Sequence, residues 1–152
     1  MADTVTFCLS KGLSCPVGSL LCGPASKIAE ARKWRKMLGG GMRQAGVLAA
    51  AGLVALETMV DRLAEDHENA RTLAEGLAEL RGVECDLTRV QTNIVRFQLT
   101  GPGSADFLAA CGKLGLRGGA AGPDQVRFVT HHGITGADIK QALTICRDAL
   151  SG

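Results

Sequence analysis

The sequence predicts a mixed α/β chain that closes in a small α+β domain, and three observations predict it. Two short β-rich runs, TVTFCL at residues 4–9 and SLLC at residues 19–22, open the chain and lead into two helical segments. Beyond Arg81-Gly82, short alternating runs and amphipathic segments succeed one another without strict βαβ order, the pattern of helices laid on one face of a small sheet. The 152 residues are 46% apolar and 21% charged, so the chain is globular in composition and long enough to bury roughly two-thirds of its unfolded surface. Twenty glycines, no tyrosine and 3% aromatics indicate a core of Ala, Leu and Val, with many places where backbone turns or approaches something closely.

The elements follow in order. The Gly- and Pro-containing stretch KGLSCPVG separates the first two strands as an exposed loop. Pro24 and Ser26 offer a helix start, residues 27–37 form a charged amphipathic segment, and Gly39-Gly40-Gly41 terminates it. Residues 42–60 are Ala-rich and apolar on every face, which predicts a helix buried all round. From Asp61 the pattern narrows to one stripe of Leu63, Ala70, Leu73, Leu77 and Leu80, a helix with a wet face. The remainder reads as strand 83–85, strand 93–98, helix 104–114, a short strand near Leu116, strand 125–130 and helix 135–150. Ser104 and Thr135 are the expected N-caps, the second with Asp138 three residues on. Two apolar strands cannot form a stable unit alone, so residues 1–24 should belong to a larger sheet, residues 25–63 should connect, and the chain from residue 64 should be self-contained.

Seventeen Lys and Arg stand against fifteen Asp and Glu, a net charge of +2, which supplies no global electrostatic reason for nucleic acid or an acidic membrane as partner. The uncharged stretches 12–26 and 44–56 are each shorter than the roughly 20 residues of a helical membrane span. Six cysteines without a C-x-x-C pair or a histidine at ligand spacing argue against a zinc site, and no metal is expected. They read as free thiols in a reducing cytoplasm.

Three constellations could carry chemistry. Ser10-Lys11-Gly12-Leu13 lies where an apolar strand leaves for a loop; a lysine held there in a low-dielectric crevice would have a lowered pKa and a free amine able to form a Schiff base, although a solvated surface lysine is the commoner outcome. The basic cluster Arg32-Lys33-Trp34-Arg35-Lys36 runs into Gly39-Gly40-Gly41-Met42-Arg43-Gln44, where bare backbone N–H groups and cations suit an anion; the bland alternative is a solvated helix face and linker. In Val126-Arg127-Phe128-Val129-Thr130-His131-His132, Arg127 stands among apolar strand residues and either snorkels at an edge or is buried against an acid. The two histidines find no third ligand and read as core or loop residues, and His67 as a surface helical one.

Taken together, TVTFCLSKGLSCPVGSLLCG, ARKWRKMLGGGMRQAGVLAAAGLVAL, EDHENA, VQTNIVRF and RFVTHHGIT resemble the low-specificity L-threonine aldolases, pyridoxal-phosphate enzymes of fold type I. The resemblance runs from about Thr4 to Leu150. It implies the C-terminal part of that fold without most of the large cofactor-binding domain, pyridoxal 5'-phosphate as cofactor, and cleavage of L-threonine, L-allo-threonine and related β-hydroxy-α-amino acids to glycine and an aldehyde. By resemblance Lys11 is the cofactor lysine, Ser10, Gly12, Lys36 and Arg43 belong to the cofactor site, and Arg127 grips the substrate carboxylate. A cytoplasmic homo-oligomer, dimer or tetramer, is implied as well. Two function classes remain open from the residues: one part of an aldolase subunit, or a non-catalytic folded fragment that only self-associates or docks.

Overall fold

The computed structural model describes residues 2–151, and the chain divides into two compact units, one through Leu63 and one from Ala64. In the first unit β1 (Val5–Cys8) and β2 (Ser19–Cys22) pair antiparallel, with Val5 opposite Cys22 and Cys8 opposite Ser19. Such a hairpin is marginal by itself. It is held by a small apolar cluster in which Leu9, Leu13, Cys15 and Ala55 are buried, with Phe7, Ala51, Met59 and Leu63 packed against them.

Helix α1 (Ala25–Met37) begins directly after Pro24, one of the two expected starts, whose ring sets φ at −57°, and it has no side-chain cap. It ends as the glycine run predicts. Gly39, at φ +81°, donates its N–H to Lys36 O at 3.2 Å and Gly40 donates to Arg35 O at 2.8 Å, the paired bonds of a Schellman stop that a left-handed glycine permits. Helix α2 (Gly46–Thr58) corrects an expectation. Only Gly52 and Ala55 of it are buried, whereas Val47 is 81%, Leu53 61% and Val54 58% exposed. The reason is that its Ala51–Ala55 face packs on the β1–β2 loop, and no described residue covers the remainder.

The second unit opens with α3 (Leu63–Ala78), whose stripe of Ala70, Leu73, Ala74 and Leu77 is buried as the periodicity required. Strands β3 (Val83–Glu84), β4 (Ile94–Leu99), β5 (Gly119–Ala120) and β6 (Gln125–Val129) form an antiparallel sheet in the order β3-β4-β6-β5. Along β4 and β6 burial alternates strictly, so that Val95, Phe97, Leu99, Val126 and Phe128 enter the core. Helices α4 (Ser104–Lys113) and α5 (Gly136–Ser151) join α3 in that core through Phe107, Cys111, Ile139, Ile145 and Cys146. Phe97 stands at its centre, edge-on to Phe107 at 6.1 Å and tilted against Phe128 at 5.4 Å.

Two local expectations shift. The short strand lies at Gly119–Ala120, beyond Leu116, because its partners are Val126 and Arg127. Gly103, not Ser104, caps α4; the buried Ser104 hydroxyl instead donates to Gly122 O at 2.7 Å, tying the helix start to the loop before β6. The Thr135–Asp138 cap forms in both directions, Thr135 N–H donating to Asp138 Oδ2 at 2.8 Å and Asp138 N–H to Thr135 Oγ1 at 3.3 Å. The Thr135 hydroxyl, donating to Asp138 Oδ2 at 2.6 Å, and the Thr135 N–H beside it favour the ionised carboxylate and hold Asp138 below its ordinary pKa.

Candidate functional site

In the first unit, the strongest candidate is the turn that carries Lys11. Leu9 N–H donates to Gly18 O at 2.9 Å, Cys15 N–H to Leu9 O at 3.1 Å and Ser14 N–H to Lys11 O at 2.9 Å, closing a tight loop within a loop. Leu9, Leu13 and Cys15 point inward and anchor it, so Ser10 and Lys11 are left exposed at its tip. Ser14 adopts φ +59°, a left-handed conformation uncommon for a residue with a Cβ, which the surrounding bonds impose. Gly12 shares its space with Leu63: a Cβ there would lie 2.8 Å from Leu63 Cδ2, so that side chain would have to move. The loop is thus a fixed support for one amine, not a flexible tether.

The basic segment is solvated along its length. Arg32, Lys33, Arg35, Lys36 and Arg43 are all exposed, Trp34 donates weakly to Glu30 at 3.4 Å, and no residue of α1 is buried. Lys36 folds across the helix stop, its Cδ 3.0 Å from where a Cβ on Gly41 would stand, so Lys36 and the glycine run belong to one feature.

In the second unit Arg127 occupies β6, an interior strand between β4 and β5, which corrects the edge-strand alternative. It is exposed and points away from the helices, since its neighbours Val126 and Phe128 fill the core; the alternative of a guanidinium buried against an acid is corrected with it. Gly119 stands across from it on β5, and a Cβ there would come 4.0 Å from Arg127 Nη2, so the guanidinium extends beside the bare glycine. Arg96 on β4 stands across on the other side. No role for Arg96 is legible in the sequence, although the alternation in IVRFQL places it on the same outward face. Beside it opens a groove of about 1110 Å³ whose walls include Glu84, Asp86, Arg89 and Gln98. Asp86 lies below the usual carboxylate range because the Thr88 hydroxyl and N–H both donate to it.

His131 and His132 lie exposed in the loop after β6, with His131 Nδ1 2.8 Å from His132 O, and His67 is exposed on α3. All six cysteines are free thiols. Burial raises the Cys111 and Cys85 thiols, and raises Cys146 to about 12 with a further contribution from neighbouring Cys111. These thiols are structural rather than nucleophilic.

Residues 1–100 match the family described as Beta-eliminating lyase. Low-specificity L-threonine aldolase 1 of Arabidopsis thaliana is 41% identical over 155 residues, covering 98% of this chain and 42% of the relative. Low specificity L-threonine aldolase of Escherichia coli K12 is 55% identical over 93 residues, covering 61% of this chain and 27% of the relative. The chain therefore spans less than half the length of these relatives. Among solved structures, serine palmitoyltransferase of Sphingomonas wittichii superposes with a TM-score of 0.78 at 22% identity, covering 97% of this chain and 39% of that one. That likeness places the fold in the C-terminal part of the pyridoxal-phosphate-dependent fold type I architecture. The chain is a member of the beta-eliminating lyase family, and within it matches the C-terminal portion of the low-specificity L-threonine aldolases.

Proposed function

We propose that this chain supplies the C-terminal part of a pyridoxal-phosphate-dependent lyase that cleaves L-threonine, L-allo-threonine and related β-hydroxy-α-amino acids to glycine and an aldehyde. The observation that carries the reading is the Lys11 turn: an exposed amine on a loop anchored by three buried side chains, next to a glycine against which Leu63 packs. This fits covalent attachment of the cofactor at Nζ, because the anchored loop holds the base of the Lys11 side chain in one place and leaves its amine open. When bound, pyridoxal phosphate supplies an electron sink for the charge left at Cα as the Cα–Cβ bond breaks.

The chain's own residues divide the work. Lys11 holds the cofactor, with Ser10 and the bare backbone at Gly12 beside it, and Lys36 and Arg43 supply cationic contacts from the helix stop and the following loop. Arg127 binds the substrate α-carboxylate through its planar pair of donors and so fixes which bond at Cα is presented for cleavage. Residues 1–24 then end the large cofactor domain, 25–63 connect, and 64–152 form the small domain. Exposed Val47, Leu53 and Val54 favour a homo-oligomer that covers them. Six free thiols favour the cytoplasm, and no helix among the described residues is long and apolar enough to cross a membrane.

Borohydride trapping of the chain with pyridoxal phosphate, followed by peptide mapping, tests the reading. Label concentrated on Lys11 supports it. Label spread evenly over Lys11, Lys27, Lys33, Lys113 and Lys140 overturns the cofactor assignment and leaves the self-associating, non-catalytic fragment.

A further inference from the structure

The outward face of the β4–β6 pair carries two arginines directly opposite each other. Arg96 and Arg127 are register partners on adjacent antiparallel strands, and both are exposed. Partners so placed hold their Cβ atoms roughly 4.5–5.5 Å apart, and like charges at that spacing repel. Among the described residues neither arginine has an acid within 4.0 Å. Of the neighbouring acids, Asp86 accepts from Thr88 and Asp124 accepts from Gln98 at 3.0 Å, while Glu84, opposite Gln98, lines the groove with Arg96 without coming within 4.0 Å of its guanidinium. The open flank at Gly119 and the groove beside Arg96 leave both guanidiniums accessible. A face that keeps two unpaired guanidiniums in register is complementary to a ligand with two anionic groups.

We propose that Arg96 is a specificity-determining residue. With Arg127 on the α-carboxylate, Arg96 takes a second carboxylate, so the favoured substrates are β-hydroxy-α-amino acids that carry a carboxylate on the β-carbon. The inference rests on the carboxylate role given to Arg127 above. In such a compound the two carboxylates sit on adjacent carbons, and each planar fork receives one carboxylate. Threonine, with a methyl group in that place, engages Arg127 alone.

The test needs no turnover. The arginine side-chain Nε–H signals of the whole chain are followed by NMR during titration with L-threonine and, separately, with L-threo-3-hydroxyaspartate. Hydroxyaspartate is expected to shift the signals of both arginines and to bind roughly 1.5-fold to fivefold more tightly than threonine, the range for one added exposed ion pair. Arg96→Gln should bring hydroxyaspartate to the threonine level without changing threonine, and Arg96→Lys should keep part of the gain. If the two acids bind equally and only Arg127 responds, the Arg96 assignment is overturned while Arg127 keeps its role. If neither acid moves the Arg127 signal, the carboxylate role itself fails and this inference with it.

Discussion

Gly12 and Leu63 share one space: the position that a Cβ on Gly12 would take lies 2.8 Å from Leu63 Cδ2. Leu63 thereby closes the underside of the turn that presents Lys11, alongside the buried Leu9, Leu13 and Cys15. Gly12→Ala should force Leu63 to another rotamer and destabilise the first unit by about 1–2 kcal/mol. In the Leu63→Ala background the same change should cost much less. Urea unfolding of the four chains measures the coupling, and additive effects would show that the contact does not hold the turn.

A second glycine predicts a larger effect. A Cβ on Gly118 would meet the Phe128 ring, 2.6 Å from Cδ1, and that ring is wedged against Phe97. Gly118→Ala should therefore cost about 1–3 kcal/mol by overpacking. Gly112 on α4 has nothing within 4 Å of its Cβ position, so Gly112→Ala should instead gain about 0.5–1 kcal/mol from reduced chain entropy. Thermal melts in which both changes moved the midpoint the same way would contradict this packing.

The carboxylate role of Arg127 separates it from Lys11 in the full-length enzyme. Arg127→Lys replaces a planar fork by a single point charge and should raise KM for the amino acid about tenfold to a hundredfold, the loss of one charge-assisted bond, while cofactor absorbance persists. Lys11→Ala should abolish the covalently bound cofactor and its absorbance. An Arg127→Lys enzyme with unchanged KM and kcat would return Arg127 to an ordinary surface arginine.

Cys146 predicts an alkaline limit to stability. Its thiol is raised from 9.0 to about 12 in the folded chain, so between those pH values the unfolded state has lost a proton that the folded state keeps. Stability is fully present below pH 9 and falls as the pH rises towards 12, by a few kcal/mol at about 1.4 kcal/mol per unit. Denaturant unfolding across that window checks the sign, and Cys146→Ala should flatten the slope. In the native chain at pH 8, iodoacetamide should modify exposed Cys8 and Cys22 before buried Cys15, Cys111 and Cys146.

What the sequence determined by itself is whatever a few neighbouring residues decide. The stripe of Ala70, Leu73 and Leu77 sets α3, and the alternation in IVRFQL and QVRFV sets β4 and β6. Gly39 ends α1, and Thr135 with Asp138 starts α5, because those bonds close within one helical turn. The ordered motifs around Lys11 and Gly39–Arg43 carried the family in the same local way. Tertiary structure alone decided the rest. Ser104 is the first residue inside α4, with extended Gly103 at the cap, and its hydroxyl donates to Gly122 O, eighteen residues away, while β5 lies where β6 can pair with it. The apolar pattern of α2 predicted burial that the described residues do not provide, since hydrophobicity states a need for a partner and does not supply one. Arg96 and Arg127, thirty-one positions apart, become neighbours only through the β4–β6 register, which is set by matching the buried faces of two strands distant in sequence.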